Sequence, residues 1–178
     1  MRKIKDKLIL GLVVGLLADI PKNLLCLTLF NADITTRKCS DLAASVFIPT
    51  YKVFSKKGTL FGLLCDFVVG SLNGIAAVYL ITSTGKVNKK NALIKGLLSG
   101  LVSFGLFRGL FIKVGTSKYP KAYPSDILTN VTMSISSSIW GVTAGLLTLL
   151  LGHKDLFEPK LHVPSSSSDK IVSSSTQS

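Results

Sequence analysis

The chain has 178 residues, 47% of them hydrophobic and only 17% charged, with a mean hydropathy of +0.49, whereas soluble domains carry about 25% charged residues. This excludes a disordered chain, a collagen and the core of a soluble enzyme, and points to a membrane protein. The 21 Lys and Arg against 9 Asp and Glu leave a net charge of +12. In a soluble protein such a charge suggests nucleic acid; here the basic residues flank apolar runs, where they meet lipid headgroups and set orientation. The expected partner is the lipid bilayer, joined by a homo-oligomer or a membrane protein partner, and not nucleic acid.

In chain order, the basic start Met1–Lys7 and apolar Leu8–Ala18 imitate a secretory signal, but a small-residue cleavage site is missing. Apolar character resumes at Leu24, so residues 8–30 are expected as one retained span, long enough for a hydrocarbon core of roughly 30 Å. Its centre carries Asp19, Pro21, Lys22 and Asn23. Pro21 removes a backbone donor and predicts a kink; the alternative is a shorter helix ending near Asp19, followed by an interfacial piece. Residues 40–54, with Ser40-Asp41 as N-cap and Pro49 as stop, are too short to cross. They are expected as an interfacial segment ringed by Arg37, Lys38, Lys52, Lys56 and Lys57.

Further spans are expected over 59–82, 92–112 and 127–152, followed by a polar, serine-rich and disordered tail over 153–178. The fold class is therefore all-α, a polytopic bundle of four transmembrane helices and a short interfacial helix. The polar loop Ser83–Asn91 makes the second and third spans antiparallel neighbours. Its Gly85-Lys86 lacks the glycine and hydroxyl of a phosphate loop, since Leu80 and Val87 stand in those places. Tyr119 and Tyr123, near Pro120 and Pro124, suit a membrane interface.

Small-xxx-small pairs recur in every span: Gly11/Gly15, Gly70/Gly74, Gly96/Gly100, Gly105/Gly109 and Gly141/Gly145. In lipid, close backbone approach over small residues supplies much of helix packing, so the repetition predicts a tight bundle. Gly96, Gly100 and Ser103 share one face of the third span, and Gly105 and Gly109 a nearly opposite one. Ser134, Ser137, Ser138, Gly141, Gly145 and Thr148 form a stripe on the fourth, expected as a packing face. Asp66 lies 16 residues before Thr82 and Arg108 lies 16 residues after Ala92, so antiparallel packing puts them on one level and predicts a pair. Asp66, Gly70, Asn73 and Gly74 share one helix face, and an aspartate at such depth must be paired, protonated or hydrated. Asp19, Lys22 and Asn23 extend this polar centre. Lys95 is expected to snorkel to the headgroups.

No catalytic signature, cofactor motif or metal site is visible. His153 and His162 fall in or beside the polar tail, and Cys26, Cys39 and Cys65 are odd in number and widely spaced, suggesting no disulfide framework. An enzyme is the least expected class.

The motifs Leu17-Ala18-Asp19-Ile20-Pro21-Lys22-Asn23, Asp66 with Gly70 and Gly74, Thr84-Gly85-Lys86, Lys95-Gly96 and Gly141/Gly145 resemble those of small, uncharacterised four-helix membrane proteins of clostridial and related Gram-positive bacteria. The resemblance covers most of residues 1–152 and implies a bacterial cytoplasmic-membrane location, with no activity or cofactor attached.

Ten basic residues at the termini and the 83–91 loop, against eight in the other two connections, orient both termini to the cytoplasm. A structural or partner-binding membrane component is the first expectation for function. A transporter or channel subunit with an interior polar site is the second, requiring an oligomer or larger complex because four helices are few for a carrier and a second broken helix is absent.

Overall fold

A computed structural model describes residues 3–83, 87–106 and 126–157. Arg108, Gly109, the Thr84-Gly85-Lys86 motif, both interfacial tyrosines, His162 and the serine-rich stretch lie outside the described residues. Among these the chain is all-helical, without strands, in six α-helices: α1 (Lys7–Asn31), α2 (Cys39–Ser45), α3 (Thr50–Val53), α4 (Lys56–Thr82), α5 (Lys89–Leu106) and α6 (Ile127–Leu151). A 3₁₀ turn follows at Lys154–Leu156. Three helices, α1, α4 and α6, are long and apolar enough to cross a membrane; the 25 residues of α1 span about 37 Å at 1.5 Å per residue.

Side-chain caps set the starts of the three long apolar helices. The Asp6 carboxylate accepts from the Leu8 and Ile9 N–H groups, Ser55 from Gly58, and Asp126 from Thr129, each satisfying donors that a helix leaves open. Helix α1 continues through Pro21 without a break. It ends where Asp33 takes a left-handed backbone, φ 54°, and the chain turns back toward α2.

The glycine pairs set how closely the helices approach. A Cβ on Gly15 would strike the Gly70 backbone, and one on Gly74 the backbone of Gly11 and Gly15. Likewise Gly96 lies on the backbone of Gly141 and Gly145, and Gly100 on that of Ser137 and Gly141. Both pairs, α1 with α4 and α5 with α6, therefore run antiparallel with backbones in contact. Leu10, Val14 and Ala18 of α1 then meet Ala77 and Val78 of α4 and Trp140 and Ala144 of α6 in the main core.

Two rim contacts close the bundle. The Ile4 N–H donates to the Leu151 carbonyl at 2.9 Å and the His153 N–H to that of Ile4 at 3.0 Å, so α1 begins at the end where α6 finishes. At the other end the Thr36 N–H donates to Thr129 Oγ1 at 3.0 Å. The long helices alternate in direction, up and down.

One expectation is corrected, and three others gain detail. Cys26 and Cys39 form a disulfide, their Cα atoms 6.1 Å apart and 13 residues apart in sequence: the reversal after α1 carries the start of α2 back beside α1, which spacing alone does not reveal. Ser40 through Ser45 of α2 are buried, with Ser40 against Gly62 of α4, so the first part of the segment expected at the interface packs against the bundle end, while Phe47, Tyr51 and Phe54 of its second part are exposed. Gly105 meets nothing among the described residues, because it points away from the face on which Gly96 and Gly100 contact α6. Lys95 donates to the Leu80 and Ile81 carbonyls at 3.0 and 3.3 Å; it caps the end of α4, where a cation suits the helix dipole.

Candidate functional site

The residues that form the site follow from a four-residue period on two helices. On α1, Gly11 and Gly15 are followed one and two turns later by Asp19 and Asn23; on α4, Gly74 and Gly70 are preceded by Asp66. Where the glycines face each other the backbones touch. One turn further along, the same seam accommodates the acids, and the Asp19 carboxylate occupies the space a Cβ on Gly70 would fill. Gly70 is thus required by the site as well as by the packing.

Lys22 Nζ lies 2.8 Å from Asp19 Oδ1 and 2.8 Å from Asp66 Oδ1. Asn23 Nδ2 donates to Asp66 Oδ2 at 2.8 Å and to the Asp19 carbonyl at 3.1 Å. These bonds staple α1 to α4 at mid-depth. Both oxygens of Asp66 receive a donor, as does Oδ1 of Asp19. Asp19 Oδ2 receives none among the described residues, although Asp19 is 0% exposed. An orphaned oxygen of this kind costs about 1–3 kcal/mol or more, which makes it a feature to be explained by what it can bind.

The cluster faces a cavity of about 80 Å³ between the two helix pairs, lined also by Val69, Asn73, Ser103, Phe104, Ser137 and Trp140. At roughly 10–15 Å³ of such space per water, it holds several waters and is well below the 300–1,000 Å³ of a drug-sized ligand site. Trp140 forms part of its wall and donates from Nε1 to the Gly15 carbonyl at 3.3 Å. The disulfide borders the same space through Cys39, and the Cys26 sulfur lies 3.4 Å from Ser136 Oγ. Leu42, Met133 and Phe104 pack beside it in a small apolar cluster.

Asp19, Lys22, Asn23 and Asp66 come together directly, and Asn73 lines the cavity without bonding to the cluster. Arg108, expected opposite Asp66, lies outside the described residues; the described partners of Asp66 are Lys22 and Asn23. Trp140, Ser136 and the cystine were not anticipated. The four-residue period linking Gly141 to Ser137 and Met133 was the available signal for this wall of the cavity. Three hydroxyls of α6 turn back on their own helix, Ser136 to Thr132, Ser138 to Ser134 and Thr148 to Ala144, as expected in lipid. Outside the spans, burial pushes the Asp41 carboxyl above the usual carboxylate range, against the opposing hydrogen bond from the Lys38 N–H. Among the described residues no group of His, Cys, Asp and Glu is arranged to hold a metal ion. No family model, curated protein or solved structure matches the chain.

Proposed function

We propose that the chain is a four-span protein of the cytoplasmic membrane and a small transporter or channel component, with Asp19, Lys22 and Asp66 as its ion site. One observation carries the reading: two carboxylates share a single ammonium beside a water-sized cavity, and one buried oxygen lacks a donor. A cluster whose only task was to staple helices would be balanced in charge and complete in its hydrogen bonds; ionisable groups at such depth are functional candidates by default. The fourth span in this reading is the apolar run 92–112, of which α5 is the described part.

Both termini face the cytoplasm in this reading. The Ile4–Leu151 contact joins the start of α1 to the end of α6, and the cystine lies at the opposite end of α1, the end that an oxidising exterior would favour. Cysteine labelling at positions 2, 88 and 170 tests the orientation; reagent reaching position 88 only from outside would overturn it.

The function is tested by reconstituting folded protein into liposomes and measuring proton and alkali-cation flux for the native chain, Asp19→Asn and Asp66→Asn. Flux that both substitutions reduce supports the proposal. Its absence from native liposomes rejects the proposal in favour of a second reading, a structural or partner-binding membrane component, which rests on the two glycine seams and predicts a stable oligomer or a co-purifying partner.

A further inference from the structure

Resting on the reading of the cavity as an ion site, we infer that the exchangeable ion is a proton and that Asp19 Oδ2 is the atom that carries it. Among the described residues, with both acids ionised and Lys22 charged, the cluster holds one excess negative charge in the membrane interior, where an uncompensated charge is costly. One proton neutralises it. Three of the four carboxylate oxygens already accept from Lys22 or Asn23. The fourth, Asp19 Oδ2, is buried and without a partner, and Asp19 lines the cavity.

A metal cation fits this arrangement poorly. The position between two carboxylates that a cation would take is filled by the Lys22 ammonium, 2.8 Å from each. Among the described residues, the charged groups facing Asp19 are Lys22 from its own helix and Asp66 from α4. The described wall contributed by α2, α5 and α6 consists of groups such as Leu42, Ser103, Met133, Ser137 and Trp140, with Cys39 held in the cystine. None of these changes charge, so the proton's exchange partner is water. Oδ2 lies against Gly70 with no accessible surface, so the carboxyl must turn toward the cavity before its O–H bond breaks and a water molecule becomes hydronium, the bond forming again in reverse. Lys22 remains charged and positions both acids.

Two measurements test the inference on the full-length protein. First, a hydrophobic carbodiimide reacts with protonated carboxyls within a membrane: the acid O–H adds across one C=N bond, and the adduct rearranges to a stable N-acylurea without a leaving group. Peptide mapping of native protein by mass spectrometry is expected to find the adduct on Asp19; an adduct on Asp66, or on neither acid, overturns the inference. Because this uses the native chain, it does not depend on a variant folding. Infrared spectroscopy should also show a protonated-carboxyl band that disappears on titration and is missing from Asp19→Asn, and a band persisting in that variant counts against the assignment.

Second, liposomes loaded with a pH-sensitive dye are expected to acidify under an imposed potential with native protein, falling to the protein-free level with Asp19→Asn. Alkali-cation flux without proton movement would overturn the proton but leave the ion site standing. Asp19 modified by carbodiimide, with no flux of any ion, would retain the proton assignment and defeat the transport reading.

Discussion

The α1–α4 and α5–α6 pairs are built on the same device and end differently. Each seam has two glycines on each helix, four residues apart, facing the opposite backbone except at Gly70, which faces the Asp19 carboxylate. Past the glycines, α5 continues with Phe104 and α6 with Ser137 and Met133, while α1 continues with Asp19 and Asn23 and α4 with Asp66. One seam opens into apolar side chains and the other into charge, and the cavity lies where they face each other. Glycine contact needs no polar group to hold antiparallel helices together, as α5 and α6 demonstrate. A glycine seam of this kind does not require the acids on the other seam, which supports the proposed ion site although their bonds also tie α1 to α4.

Removing the shared ammonium should expose this difference most sharply. Lys22→Met leaves two acids without their counter-ion and is expected to cost about 3–5 kcal/mol, since breaking a buried ion pair strands its partner. Adding Asp19→Asn and Asp66→Asn to it should recover most of that loss, because the cluster is then neutral. Thermal unfolding of the purified variants in detergent measures both; a triple variant no more stable than Lys22→Met would indicate that the cluster is not a coupled unit.

The cystine tests the α1 side of the comparison in another way. A bridge closing a loop of this size contributes about 3 kcal/mol in the chain-entropy model. Cys26→Ser, or reduction, is expected to lower the unfolding midpoint accordingly and to loosen α2 beside the cavity. Since Cys65 is the remaining thiol, thiol counting before and after reduction shows whether the bridge was present.

Glycine substitution asks whether the two seams are equivalent as packing. Gly74→Ala and Gly141→Ala each drive a methyl into opposing backbone, and each should cost about 1–3 kcal/mol. Gly105→Ala meets open space among the described residues and should be neutral or gain up to about 1 kcal/mol from helix propensity. Equal losses at all three positions, read from unfolding midpoints, would argue against backbone contact as the basis of the seams.

Much of this architecture was legible because its causes are local. Apolar runs mark α1, α4 and α6, four-residue spacing marks the glycine seams, and acids within apolar runs mark the polar centre. The details that depend on the path of the chain were not. The Cys26–Cys39 bridge requires the reversal at Asp33, and the burial of α2 requires the seat that Gly62 provides. Lys95 reads as a snorkelling residue until the nearby end of α4 supplies carbonyls for it. Asp66 with Lys22 and Asn23 was legible as one polar centre, because all lie within apolar runs, while Arg108 lies outside the described residues.

The smallest expected effect concerns the rim, where the two pairs are tied by Asp126. Hydrogen bonds from the Thr129 and Thr36 side chains and the Thr129 backbone hold this exposed carboxyl down to about 2, from an ordinary value of 3.8. A carboxyl lowered by folding stabilises the folded state most when ionised, above about pH 4, and its contribution disappears as pH falls toward 2. Asp126→Asn keeps an oxygen able to cap α6, because asparagine is a good N-cap, but it cannot titrate. The variant should therefore be slightly less stable than the native chain at pH 6, with the difference shrinking between pH 4 and pH 2. Unfolding midpoints of both proteins across that range check the prediction. A pH-independent difference would mean that the Thr36–Asp126 tie acts through its geometry alone, leaving the interior cluster as the main place where charge contributes to joining the helices.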